Sequence, residues 1–165
     1  MGGTGFRGRC PCGALRYRVA GRPIVVHACH CTWCQRETGS AFALNAIWET
    51  DRLTVEGEVE EVTLPSASAE GQIVARCPSC RVAVWSHYAG SGRATAFVRV
   101  GTLDEPAACP PDIHIFTASR LPWVVLPEGA RAVPDYYRPG EVWSAEAIAR
   151  HGVARARIGL PPIAQ

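Results

Sequence analysis

The sequence predicts a mainly β fold: small antiparallel sheets pinned at their strand ends by clustered cysteines, with short helical turns and a helix near the C-terminus. Three observations predict it. Short segments alternate apolar and polar residues with period two, as in Leu15, Tyr17 and Val19 against Arg16 and Arg18. Turn formers are frequent, with 16 glycines and 13 prolines in 165 residues, which argues against a helical bundle. Seven of the eight cysteines fall into three tight groups between candidate strands.

Taken in order, Gly5 to Arg9 and Ala14 to Ala20 read as two strands joined at Cys10-Pro11-Cys12-Gly13, where Gly13 gives the turn the backbone freedom it needs. Ile24 to Cys29 is a third strand. Thr32 to Thr38 reads as one or two helical turns ended by Gly39, and Ala41 to Trp48 returns as a strand. Leu53 to Val55 and Glu60 to Leu64 are short strands about a turn at Glu56-Gly57, and Pro65 to Gly71 is a loop. Ile73 to Arg76 enters a second cysteine turn and Val82 to Ser86 leaves it. Ala96 to Val100 is a strand ending at Gly101-Thr102-Leu103-Asp104. Residues 105–112, with three prolines, are a loop before a short strand from Ile113 to Phe116. Ser144 to His151 reads as a helix, with Ser144 as N-cap, Glu146 in the first turn and Gly152 as the stop. No internal repeat and no domain boundary fall before about residue 130. Residues 1–130 therefore read as one domain, and 131–165 as an extension that packs on it or forms a homodimer contact.

A chain of this length can bury roughly two-thirds of its unfolded surface, so it folds without needing disulfides. The N-terminus, Met1-Gly-Gly-Thr-Gly-Phe6, lacks the apolar centre of a secretory leader, so a reducing, cytoplasmic setting is expected. No apolar run approaches the ~18 residues of a membrane span, so no membrane partner is expected. A net charge of +2 leaves no general nucleic-acid footprint. All 17 basic residues are arginine, which excludes a Schiff-base lysine and a P-loop lysine.

In a reducing setting, clustered cysteines read as metal ligands before disulfides. Cys10-Pro-Cys12 is a C-x-C, Cys29-His-Cys31-Thr-Trp-Cys34 a C-x-C-x-x-C, and Cys77-Pro-Ser-Cys80 a C-x-x-C; Cys109 stands alone in a loop as a bystander. Cysteines one or two residues apart present both thiolates to one ion from a single turn. Structural zinc takes four such ligands, whereas three leave a position open for water or substrate. Spacing alone does not say which groups combine. The cheapest partition joins Cys10 and Cys12 with Cys77 and Cys80, leaving Cys29, Cys31 and Cys34 as an open site. Two zinc ions per chain are expected, ahead of an iron–sulfur cluster on the four-thiolate set.

Several motifs together, in one order, carry a resemblance. They are Gly8-Arg9-Cys10-Pro11-Cys12-Gly13, Cys29-His30-Cys31-Thr32-Trp33-Cys34-Gln35-Arg36, Thr38-Gly39-Ser40, Cys77-Pro78-Ser79-Cys80, Val100-Gly101-Thr102-Leu103-Asp104, and His114-Ile115-Phe116 with Ser119-Arg120 and Pro122-Trp123. Over roughly residues 6–127 the sequence resembles the glutathione-dependent formaldehyde-activating enzyme family. That resemblance implies the Mss4-like, or β-tent, zinc fold, which the family shares with centromere protein V. It implies structural zinc on Cys10, Cys12, Cys77 and Cys80, and a second zinc near substrate on Cys29, Cys31 and Cys34. It also implies a carbon–sulfur lyase activity, the formation of S-hydroxymethylglutathione from glutathione and formaldehyde. One departure is Arg81, which stands where the family usually has glycine after the second C-x-x-C. A positive φ there costs a non-glycine residue about 1 kcal/mol or more.

Three thiolates on Zn²⁺ leave a net charge of −1, a weak Lewis acid but a good acceptor for an exogenous thiolate. Thiolate capture followed by attack on the aldehyde is the expected order. His114 is a candidate to line the site, against a structural hydrogen bond, and His30 a candidate for proton transfer. Trp33 reads as a pocket wall or as core. Arg36, Arg81 and Arg120 are candidates to clamp glutathione carboxylates, against plain surface or ion-paired arginines. Two competing functions remain: a non-catalytic zinc module that binds a protein or nucleic acid, and a redox or metal-handling protein.

Overall fold

A computed structural model describes residues 5–66 and 70–163. Ten strands form two sheets. They are β1 (Gly5–Arg9), β2 (Arg16–Ala20), β3 (Val25–Cys29), β4 (Ala43–Glu49), β5 (Leu53–Glu56), β6 (Glu60–Leu64), β7 (Gln72–Arg76), β8 (Ala83–Tyr88), β9 (Thr95–Arg99) and β10 (Ile113–Ile115). The smaller sheet has the order β1-β2-β5 and the larger β10-β3-β4-β9-β8-β7-β6. The mainly β, antiparallel expectation holds, with strand ends shifted by a residue or two. One pairing departs from it: β10 runs parallel to β3, with Ile113 opposite His27 and Ile115 opposite Cys29. The sequence carries no sign of this, because a parallel partner arrives after a long excursion of chain. Of the expected loop from Pro65 to Gly71, residues 67–69 lie outside the described residues.

The alternation seen in β2 is realised. Tyr17 and Val19 are buried while Arg16 and Arg18 are exposed. β3 is buried along its whole length because β10 and β4 flank it and both of its faces are covered. Successive side chains of the large sheet then serve two cores. Val26, Ala46, Trp48, Ala96 and Val98 face the smaller sheet and pack with Tyr17, Val19, Trp85, Cys10 and Cys77. Val25, Cys29, Ala43, Ile47, Ile113 and Ile115 form the second core with Cys31, Cys34 and Tyr137. Each cysteine cluster is thus rooted in its own core. Close packing also fixes Gly8, where a Cβ would lie 2.3 Å from the Tyr17 ring.

Helix α1 (Thr32–Thr38) begins at Cys31, whose sulfur accepts from the Cys34 N–H at 3.3 Å, and ends at Gly39 in the left-handed region. Beyond residue 130 the chain runs along β10: the His114 N–H donates to the Arg131 carbonyl at 2.8 Å, and the Phe116 N–H to the Asp135 carbonyl at 2.9 Å. A short helix, α2 (Pro139–Val142), leads into α3 (Ala145–Arg157). Ser144 caps α3 as expected, its hydroxyl accepting from the Ala147 N–H at 3.1 Å. Gly152 does not stop it. Glycine inside a helix costs about 1 kcal/mol, and here His151, Ala154 and Arg155 are buried on either side of it. Arg150 also donates to both Glu49 oxygens at 2.7 Å, and docking of that face carries the helix past the glycine. No described helix is long and apolar enough to cross a membrane.

Candidate functional site

The first cluster sits at two cysteine turns. In one, the Cys10 N–H donates to the Leu15 carbonyl at 2.9 Å and Gly13 takes a φ of 77°. In the other, the Cys77 N–H donates to the Val82 carbonyl at 3.1 Å and Arg81 takes a φ of 64°. The sulfurs of Cys10, Cys12, Cys77 and Cys80 lie within 4.8 Å of one another, with Cys10 to Cys12 at 3.3 Å and Cys12 to Cys77 at 3.7 Å. Tetrahedral zinc with sulfurs at ~2.3 Å needs them ~3.8 Å apart, so this set fits a closed four-sulfur site. Arg81 does occupy the left-handed region, but its guanidinium pairs with Glu60, not with the sulfurs.

The second cluster is made by Cys29 at the end of β3 and by Cys31 and Cys34 across the first turn of α1. Their sulfurs also lie within 4.8 Å of one another, and among the described residues no fourth His, Cys, Asp or Glu joins them. Hydrogen bonds from Cys29 and Cys34 pull the Cys31 thiol down to about 2, against burial, with the Cys34 and Trp33 N–H groups helping. Contacts with Cys29 and Cys31 push Cys34 far up, and the contact with Cys31 pushes Cys29 up to about 12, with Cys34 opposing and burial adding. Three thiols this close cannot all ionise unless a cation sits among them, so the donor set suits a divalent ion. All three open into one cavity of about 400 Å³.

The floor of that cavity is the second face of the large sheet. His27 and Asn45 line it side by side from β3 and β4, and Arg99 is paired beside Asn45 on β9, outside the lining. Arg99 pairs with Glu37 at 2.8 Å and donates to Asn45 Oδ1 at 2.6 Å. Because a guanidinium only donates, this contact fixes the Asn45 amide and leaves Nδ2 for the cavity that Asn45 lines. Tyr88, Phe97, Ile115, Phe116 and Tyr136 line it with Trp33, and Glu70, Gly90 and Ser91 lie at its wall.

A family profile for the glutathione-dependent formaldehyde-activating enzyme matches residues 5–119, the span that builds both cysteine clusters. The chain belongs to this family. A Halomonas elongata protein named for glutathione-dependent formaldehyde activation is 27% identical over 130 residues, covering 73% of this chain and 80% of its own. A crystal structure of a Rhodobacter sphaeroides protein aligns at 20% identity with a TM-score of 0.46, covering 59% of this chain and 87% of that one.

Within this family member, the other sequence candidates are placed as follows. His114 does not line the cavity; it projects from the opposite side of β10 to Ile113 and Ile115, and its Nδ1 lies 3.0 Å from His30 Nε2. Burial holds both imidazoles below their ordinary range, His30 at about 4, and neighbouring His114 and Arg120 lower it further. The pair acts from behind. His30 is locked by its N–H to the Ile115 carbonyl at 3.0 Å, and its own carbonyl accepts from Gln35 at 2.7 Å and Ser119 at 3.0 Å. Those bonds fix the loop that carries Cys29, Cys31 and Cys34. Trp33 is a cavity wall, whereas Arg36, Arg81 and Arg120 are not among the lining residues. Cys109 is buried in the first core and belongs to neither cluster.

Sequence reasoning missed Asn45, Tyr88, Phe97 and Tyr136. Asn45 had a signal, being a polar residue inside the apolar run from Ala43 to Trp48. Tyr136 had none, because it lies outside the matched segment.

Proposed function

We propose that this chain joins a small thiol, glutathione or another, to formaldehyde or a related aldehyde. The product is an S-hydroxymethyl thiol, as in S-hydroxymethylglutathione synthase chemistry, and the class is carbon–sulfur lyase. The observation that carries this reading is the contrast between the clusters. Four sulfurs close one site, while three sulfurs, together with a cavity, leave the other incomplete. The family profile and the name of the Halomonas relative support the same chemistry. Eight free cysteines suit a reducing, cytoplasmic setting.

Cys10, Cys12, Cys77 and Cys80 would hold a structural zinc, and Cys29, Cys31 and Cys34 a second one. The second ion supplies an open position that favours the ionised form of an incoming thiol. The chain's own residues do the rest. Cavity walls exclude water and hold the thiol's carbon skeleton. A sulfur lone pair forms the new C–S bond, and the C=O π pair moves onto oxygen. Asn45 Nδ2 donates to that oxygen as its charge grows, an electrostatic contribution made in the transition state. The oxygen then takes a proton from solvent, replacing the one the thiol gave up, and nothing is oxidised or reduced. His30 and His114 position the cysteine loop as a neutral pair.

The test is two-fold: zinc content of the purified protein, and the exchange rate between ¹³C-formaldehyde and its thiol adduct, measured by NMR with catalytic protein. Two zinc ions per chain and accelerated exchange are expected. One ion, or no acceleration with any thiol offered, overturns the reading.

A further inference from the structure

The cavity over Cys29, Cys31 and Cys34 is walled by rings and aliphatic groups: Trp33, Tyr88, Phe97, Ile115, Phe116 and Tyr136. Its charge is equally specific. Every basic side chain of this protein is an arginine, and none of them lines the cavity. The one carboxylate at its wall is Glu70. Arg99, paired beside Asn45 on β9, has its charge committed to Glu37 and its Nη1 to Asn45. Glutathione carries two carboxylates. Entering here, they would meet no basic side chain, the like charge of Glu70 and a three-thiolate centre that stays net negative with a divalent ion bound. Burying an ionised carboxylate without a partner is strongly unfavourable, whereas an apolar body would gain contact with every wall.

One wall comes from outside the segment that the family profile matches. Tyr136 follows the stretch hydrogen-bonded along β10 and is 50% exposed, with its ring at the cavity edge. It stacks on Tyr137 at 4.9 Å and 10°, and sits edge-on to His27 at 5.8 Å. Tyr137 is anchored in turn, its hydroxyl meeting His27 Nε2 and accepting from Trp143 Nε1 at 2.6 Å. Opposite, 6.0 Å away, is Phe116, one of only two described non-glycine residues at positive φ, 55°. Such a conformation costs of order 1 kcal/mol or more and persists when the surroundings impose it. Here the bond from the Phe116 N–H to the Asp135 carbonyl and that from the Thr117 N–H to the Val133 carbonyl hold the turn, with the Phe116 ring in the cavity wall.

From these walls and this charge pattern we infer that the thiol accepted at this site has an uncharged, apolar body, and that Tyr136 and Phe116 select it over anionic thiols. This rests on the thiol-binding reading given above and narrows it. The test uses the protein loaded with cobalt(II) in place of zinc, titrated with benzyl mercaptan and, separately, with glutathione. Thiolate-to-cobalt charge-transfer absorbance is the readout, so turnover is not needed. Benzyl mercaptan should bind at least about tenfold more tightly than glutathione, a preference of about 1.4 kcal/mol. Tyr136→Ala should remove most of that preference by weakening benzyl mercaptan alone, and Tyr136→Phe should keep it. Circular dichroism checks that each variant is folded; if Tyr136→Ala is not, Phe116→Leu takes its place with the same expectation. Glutathione binding as tightly as benzyl mercaptan, or a preference untouched by the variants, overturns this inference and leaves thiol binding standing. No spectral change with either thiol overturns both.

Discussion

Arg99 Nη1 donates to Asn45 Oδ1 at 2.6 Å, across neighbouring strands of the sheet that floors the cysteine cavity. The contact orients an amide that would otherwise rotate freely. Its strength comes from the buried ion pair behind it, where Glu37 takes Arg99 and also accepts from Gln72 at 3.2 Å. The amide of a cavity-lining residue is thereby held in one orientation.

Asn45→Ala should slow thiol addition to the aldehyde by about 10²-fold or more, the usual effect of removing one oxyanion donor. Asn45 touches neither cysteine cluster's ligand set, so metal content should stay unchanged. NMR exchange kinetics together with zinc analysis check this. Unchanged kinetics would remove Asn45 from the chemistry.

The two clusters should differ in their effect on folding. Cys80→Ala should strongly destabilise the domain, because metal binding at a closed four-sulfur site is itself folding free energy. Cys31→Ser should remain folded, since serine preserves the N-cap that Cys31 provides to α1. It should lose one metal ion and all thiol binding. Thermal denaturation alongside metal analysis separates the outcomes, and equal destabilisation would deny the division into closed and open sites.

Arg81 holds a φ of 64° and pairs with Glu60 on the surface. The left-handed conformation costs an arginine about 1 kcal/mol relative to glycine, and an exposed ion pair returns little of that. Arg81→Gly should therefore be more stable than Arg81→Ala by roughly 1 kcal/mol, read as a difference in urea midpoints. Equal midpoints would show that the turn relaxes without glycine.

Acid should loosen the C-terminal helix. His151 is buried against Trp143, at 5.0 Å between rings, and burial followed by nearby Arg155 holds its pKa below the ordinary value of about 6.5, with Glu49 opposing. The unfolded chain then binds the extra proton first. Stability from this group is complete above pH 6.5 and declines as the pH falls towards the folded value, by at most about 1.4 kcal/mol per pH unit. His151→Phe should flatten the stability–pH curve between pH 7 and 5, as followed by denaturant titration at each pH. An unchanged slope would place the dependence elsewhere.

Much of the fold was legible along the chain. Period-two alternation located β2, the glycine after Thr38 ended α1, and Ser144 marked the start of α3. Gly152 misled because local propensity is small beside the docking of Arg150, His151 and Ala154 on the sheet. His114 misled for a related reason. Its neighbourhood in sequence was correct, but alternation on β10 turns Ile115 to the cavity and His114 away from it.

Cysteine spacing was enough to indicate metal chemistry, because residues one or two apart in a turn reach a common point whatever the rest of the chain does; which turns combine is a tertiary matter, since Cys12 meets Cys77 across 65 positions. The make-up of the cavity was decided elsewhere. Asn45, Phe97 and Tyr88 share its floor through strand register, and Tyr136 reaches it only because the stretch from Arg131 hydrogen-bonds along β10. Contacts between residues as far as 110 positions apart leave no local pattern, since they depend on which strands pair and in which register. The ligand-bearing turns were written in short-range spacing, and their pairing, with the choice of what binds beside them, in long-range packing.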